Sequence, residues 1–233
     1  MKTRLFICVC ILFSLLSCSS SEKEQLETAL AFADTNRAEL EKVLEYYKND
    51  SLKLKAAIYL IENMPLYYTY KGSDLDSLHI ALEQYAVSDS YDKHLEYLKR
   101  FPYRNLFKEY DAKVITSEYL IENIEYSFKV WRETPWGKYV SFDNFCEFIL
   151  PYRIKDEPLT HWKKDFYHRF KPVLDSLYQG TDVVEATSCL SNYATSLHWK
   201  YQNELTGPHL SAQLLLELQL GDCTSIADFG CYM

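Results

Sequence analysis

From residue 22 onward the apolar residues of this 233-residue chain recur at intervals of three and four, with little of the sustained alternation that a half-buried strand needs. A period near 3.6 commits the chain to helices. Leu40, Val43, Leu44 and Tyr47 form one stripe, which Asn36 and Glu39 would open as a cap-like pair. Leu54, Ala57, Ile58 and Ile61 form a second, ended by Pro65; a third runs from about Leu75 to Tyr85, and a short fourth from Tyr91 to Leu98. Thr116 would cap a helix carrying Leu120, Ile124, Phe128 and Trp131. Trp162, Phe166 and Phe170 repeat at four, with Pro172 kinking or restarting their helix and Gly180 suited to close it. The longest stripe runs from Ala186 through Leu190, Tyr193, Ala194 and Leu197 to Tyr201; Gly207 breaks it, and Pro208 would open the next helix. The expected fold class is mainly α, with no substantial sheet.

The first eighteen residues read as an address. Lys2 and Arg4 precede an apolar run from Leu5 to Leu16, interrupted only by Ser14. As a helix that run covers about 18 Å, short of the roughly 30 Å of a bilayer core, so it is a leader and not a membrane span. Leu15, Leu16, Ser17 and Cys18 resemble the lipobox of bacterial lipoproteins, in which the cysteine is lipidated and becomes the mature N-terminus. The resemblance implies a signal peptide over 1–17, a polar tether over 18–24, and a chain held at the outer membrane of the cell envelope by acyl groups on Cys18. Removing Lys2 and Arg4 with the leader takes the net charge from −8 to −10, and no Lys/Arg cluster remains. Nucleic acid is therefore excluded as a partner. With 48% hydrophobic residues and only 6 Gly and 7 Pro, the rest is a packed globular chain. Its 20 Tyr could line a sugar- or peptide-binding surface, although aromatics at helical spacing are more often core.

Cys146, Cys189, Cys223 and Cys231 remain once the leader and Cys18 are set aside. No CxxC pair or His-Glu-x-x-His occurs, so neither a metal site nor a cofactor is expected. His161 and His168, with Asp165 between them, read as solvated histidines on a helix face. Cys223 stands in a different setting. Gly221 permits a sharp turn, Asp222 is a good N-cap, and Thr224 to Met233 reads as a helix with Ile226, Ala227 and Phe229. The thiol would sit in the first turn, where the helix dipole favours the thiolate that attacks carbonyl carbon. The alternative is a buried cysteine packing as a small hydrophobe. Cys223 and Cys231 lie eight apart on that one helix, about 12 Å, too far for a disulfide between them.

Gly221-Asp222-Cys223 followed by an Ala-containing helix, with a leucine-rich helix before it, resembles the start of a transglutaminase-like (papain-like thiol) core. The stretch Trp131, Trp136, Ser141, Phe142, Phe145, Phe148, Leu150, Pro151, Tyr152, Arg153, Glu157, Pro158, Leu159 and Trp162 resembles the linker of transglutaminase-like lipoproteins of Bacteroidetes. The resemblance implies a helical region over 25–205 and, over 206–233, the start of a core whose sheet lies beyond this chain. It implies Cys223 as nucleophile, a downstream histidine as base and an aspartate to orient it, acting on amide bonds of peptides or glycopeptides. No histidine follows Cys223. The six present are His79, His94, His161, His168, His198 and His209, and the family gives no warrant for His209 as base. The expectation is the N-terminal part of a longer enzyme, inactive as it stands. The alternative is a noncatalytic helical lipoprotein that binds peptide or glycan.

Overall fold

The computed structural model describes residues 23–86, 98–101, 105–197, 199–202 and 207–233. Cys18, the leader and all but the last residue of the helix expected over Tyr91–Leu98 lie outside the described residues.

The chain is mainly helical. Three helices open it: α1 (residues 23–32), α2 (Arg37–Tyr46) and α3 (Ser51–Asn63). Strand β1 (Tyr68–Lys71) follows, then α4 (Asp74–Ala86) and β2 (Phe107–Tyr110). The middle of the chain is α5 (Ser117–Glu133), α6 (Phe142–Phe148), α7 (Trp162–Leu177) and α8 (Val183–Thr195). The last part alternates β3 (Lys200–Tyr201), α9 (Ala212–Leu218), β4 (Leu220–Gly221) and α10 (Cys223–Tyr232). β1 and β2 pair antiparallel with Tyr68 opposite Tyr110, and β3 and β4 pair parallel with Lys200 opposite Leu220. Neither pair extends beyond two strands among the described residues.

Short polar side chains start the helices as the sequence suggests. Asp50, Thr116, Ser141, Asp182, Ser211 and Asp222 each accept a hydrogen bond from a backbone N–H in the first turn of the helix that follows. Asn36 stands at the N-cap of α2 but does not cap it. Its Nδ2 donates instead to the carbonyls of Ala112 (3.0 Å) and Ile115 (2.9 Å), while Glu39 accepts from Ser117 N (2.8 Å) and Oγ (2.7 Å) at the start of α5. Long-range partners, invisible to local spacing, take both side chains. α8 stops at Thr195, so the long stripe does not reach Tyr201, which pairs with Gly221 in a strand. Pro208 does not open α9: Gly207 turns the chain at φ +147°, and the helix begins four residues later, behind Ser211. Gly180 does not close α7 either, since that helix ends at Leu177 with Tyr178 extended. Pro172 lies inside α7, which runs on through it.

Two main cores result. The first is built from α1, α2, α3, α5 and α6, with Leu120, Ile124 and Phe128 of α5 along its axis and Trp131 stacked on Phe145 at 4.4 Å. Leu120, Ile124, Phe128 and Phe145 are fully buried, each worth about 1.5–3 kcal/mol of transfer free energy. The second joins α7 and α8 to α9 and α10: Phe166 and Phe170 meet Phe229 at 5.7 and 6.1 Å, and Trp162 meets Tyr232 at 4.7 Å. It draws on residues from both sides of position 206. A smaller cluster gathers Leu78 and Leu82 of α4 with Leu98, Phe101 and Leu220. The irregular connector over residues 149–161 passes between the two main cores.

Candidate functional site

Cys223 is the first residue of α10, and the chain reaches it through a tight sequence of turns. Gln219 ends α9 in the left-handed conformation (φ 50°, ψ 40°), its N–H bonded to Leu215 O. Gly221 follows at the end of β4. It is glycine for want of space rather than for a left-handed turn: a Cβ there would fall 2.4 Å from Cβ of Ser225. Asp222 Oδ1 accepts from Ser225 N (2.8 Å) and Oγ (2.9 Å), which sets the first turn. Asp228, Phe229 and Tyr232 face inward from α10; Cys223, Ile226, Ala227, Gly230 and Cys231 face out. Cys223 is exposed and unbridged, and Cys231, two turns on, is likewise exposed and unbridged. Cys146 is buried in the first core, where desolvation and Asp143 push its thiol up to about 11.

A cleft of about 110 Å³ opens beside this helix start, between Leu78 and Leu82 of α4, the 207–210 turn, and Asp222, Thr224 and Ser225. His209 lines it and Cys223 does not. Both ring nitrogens of His209 face carboxylates instead. Nδ1 lies 2.6 Å from Asp156 Oδ1, which also accepts from the His209 backbone N–H at 3.0 Å, and Nε2 lies 4.0 Å from Asp228 Oδ2. The withheld base role therefore finds no geometry here. His161 and His168 are surface residues, meeting Glu122 and the Tyr126 hydroxyl respectively, and Asp165 accepts from Gln213. Among the described residues no group of three or more His, Cys, Asp or Glu is placed to hold a metal ion.

The Pro-Tyr-Arg stretch forms the connector, a half-buried loop with Tyr152, Arg153 and Glu157 in the interior, where polar groups need partners. Arg153 donates Nη1 to the carbonyls of Tyr68 (2.9 Å), Lys155 (3.0 Å) and Glu157 (2.9 Å) and Nη2 to Asp111 Oδ1 (2.7 Å). Its Nε lies 2.6 Å from Asp111 Oδ2, an ion-pair contact outside hydrogen-bond geometry. Burial raises the Asp111 carboxyl to about 6, although Arg153 and the Tyr152 hydroxyl (3.0 Å) pull the other way. Glu157 accepts from the N–H groups of Ile154 and Lys155 at 2.7 and 2.8 Å. Trp162 Nε1 donates to Tyr152 O (2.8 Å), and Asn123 Nδ2 to Leu150 O (2.8 Å).

Lys163 closes the same loop from the other side. Its ammonium donates to Ser127 Oγ (2.7 Å) and to the carbonyls of Ile149 (2.7 Å), Leu150 (3.2 Å) and Pro151 (3.0 Å), just beyond the end of α6. Burial pushes this amine well below its usual range. Four acceptors are more than the two N–H groups of a neutral amine can serve, and they sit at the negative end of a helix, so both features favour the charged form.

Sequence reasoning reached Cys223, Asp222, Arg153 and Glu157. It missed Asp111, Lys163 and the grouping of Lys155, Asp156, His209 and Asp228, whose members come from three separate segments of the chain and leave no local pattern. No protein-family model matches this chain, and no curated protein or solved structure matches it.

Proposed function

We propose that this chain is the helical region and nucleophile helix of a transglutaminase-like thiol hydrolase or transferase of the cell envelope, anchored through lipid on Cys18 and acting on amide bonds of peptides or glycopeptides. In that reaction the Cys223 thiolate attacks the amide carbonyl, the C–N bond breaks, and ammonia or an amine leaves with a proton. Water or a second amine then resolves the thioester. The base and its orienting acid would come from sequence following Met233. The observation that carries the reading is the placement of Cys223: exposed, unbridged, at the first position of a helix whose cap is Asp222. The outward face of α10, Cys223, Ile226, Ala227, Gly230 and Cys231, is small but for Ile226, which suits approach by a further element.

The second reading is a noncatalytic lipoprotein binding peptide or glycan, and the engagement of His209 with two carboxylates favours it, because no described histidine serves Cys223. Competition among the cysteines for iodoacetamide at neutral pH separates the two. Cys231 is the internal standard, exposed on the same helix but near its other end. Peptide mapping should find Cys223 alkylated faster than Cys231, Cys189 and Cys146. Equal rates for Cys223 and Cys231, or Cys223 in a disulfide, would leave the binding reading in place.

A further inference from the structure

Three parts of the fold meet at His209. The 207–210 turn carries it, the connector presents Asp156 to its backbone N–H and Nδ1, and α10 presents Asp228 to Nε2. The connector also sends Lys155 Nζ to within 3.3 Å of Asp228 Oδ1, so two neighbouring connector residues reach α10, one directly and one through the imidazole. The other charged groups around the ring are Arg153 and Glu157 behind Asp156, and Asp222 across the cleft; α4 brings only Leu78 and Leu82 to the cleft, and Tyr70 of β1 lies near enough to Asp156 to feel its charge. Arg153 is matched by Asp111. What remains is Lys155 against Asp156, Glu157 and Asp228, an acid-rich group with room for one more positive charge. The His209 side chain is 30% exposed, so its proton can exchange with water.

We propose that His209 is a pH-operated clasp: the protonated imidazole ties α10 to the connector through Asp228 and Asp156, and loss of the Nε2 proton to solvent loosens that helix. In the neutral ring Nδ1–H keeps its bond to Asp156, whereas Nε2 turns a bare lone pair toward the Asp228 carboxylate. The contact with Asp156 raises His209 above its ordinary 6.5, outweighing burial. A histidine raised on folding contributes stability that is fully present below 6.5 and lost as pH rises through its folded value. Asp228 sets the acid limit: burial raises its carboxyl above 3.8, outweighing Lys155 and His209, so the Nε2 contact is lost first as pH falls. Asp156 holds on longer, because the His209 donors and Arg153 keep its carboxyl below 3.8 against burial, and its contribution is lost only as pH falls through that folded value. The clasp is therefore closed from the raised Asp228 value up to the raised His209 value.

The inference does not depend on Cys223 being a nucleophile. Amide hydrogen exchange, corrected for intrinsic rates, tests it in the whole protein. Between pH 6 and 8.5 the protection of α10 relative to α5 should fall about threefold to tenfold. His209→Gln should hold that ratio constant across the same range, and Asp228→Asn should flatten it while leaving the Asp156 contact in place. A constant ratio in the unsubstituted protein overturns the clasp, and so does a His209→Gln protein with the same pH dependence. If His209→Gln does not fold, the unsubstituted protein and Asp228→Asn still decide the question.

Discussion

Lys163 shows how a single side chain can complete an irregular stretch of backbone. The carbonyls of Ile149, Leu150 and Pro151 have left the end of α6 and have no helical partner. An ammonium with three N–H groups on a long stem supplies donors from one point, and the hydroxyl of Ser127, itself bonded to Asn123 O at 2.7 Å, supplies a fourth acceptor. Substitution Lys163→Met keeps the stem length and removes every donor. Leaving such acceptors unpaired costs about 1–3 kcal/mol each, offset in part because a buried charge is also removed, so a net loss of about 2–4 kcal/mol is expected in urea unfolding. A loss below about 1 kcal/mol would mean that the carbonyls find other donors.

At the scale of elements, the helices were largely legible and their joints were not. Thr116 and Asp222 cap where their spacing suggested, because an N-cap is a contact three residues long that sequence displays directly. The end of α8 and the start of α9 were misread because β3 and the Gly207 turn lie between them, and β3 pairs with β4 beyond α9 in a two-residue parallel pair that has no periodicity to detect. The site divides the same way: the α10 start was readable from Gly221, Asp222 and Cys223, whereas the His209 group required the fold. Gly221 itself was noticed for turning, but its neighbour Ser225 is the reason for it. Gly221→Ala would set two Cβ atoms 2.4 Å apart. We expect it to destabilise the protein by more than the roughly 1 kcal/mol that removing the Asp222 cap costs, and Ser225→Gly to restore part of the loss. Thermal unfolding of the four proteins checks the order; an alanine that costs less than the lost cap would contradict it.

At the scale of the molecule, the connector makes one body of two cores. Tyr152 belongs to the first core, Ile154 and Trp162 pack against the second, and Arg153 between them is bound to β1, to Asp111 and to the connector's own carbonyls. Asp111→Asn removes the charge that compensates a guanidinium 2% exposed, which should cost about 3–5 kcal/mol. The prediction goes beyond magnitude. Fluorescence from Trp131 reports the first core and from Trp199 the second; in proteins keeping one or the other tryptophan, the two transitions should coincide with Asp111 present and separate with asparagine in its place. Transitions that stay superimposed would mean that apolar contact alone couples the cores.

The partners of Arg153 also bear on the order in which the chain assembles. Tyr68 lies 85 residues before it and Asp111 42, while Asp156 must wait for His209, 53 residues further on. Closing loops of that length precedes any return from the contacts they allow, so the helices can form and collapse locally before the arginine has anywhere to go. The connector is then the last part to seat and the first to give way. Weakening it should shorten the lifetime of the native state while leaving the speed of refolding nearly untouched.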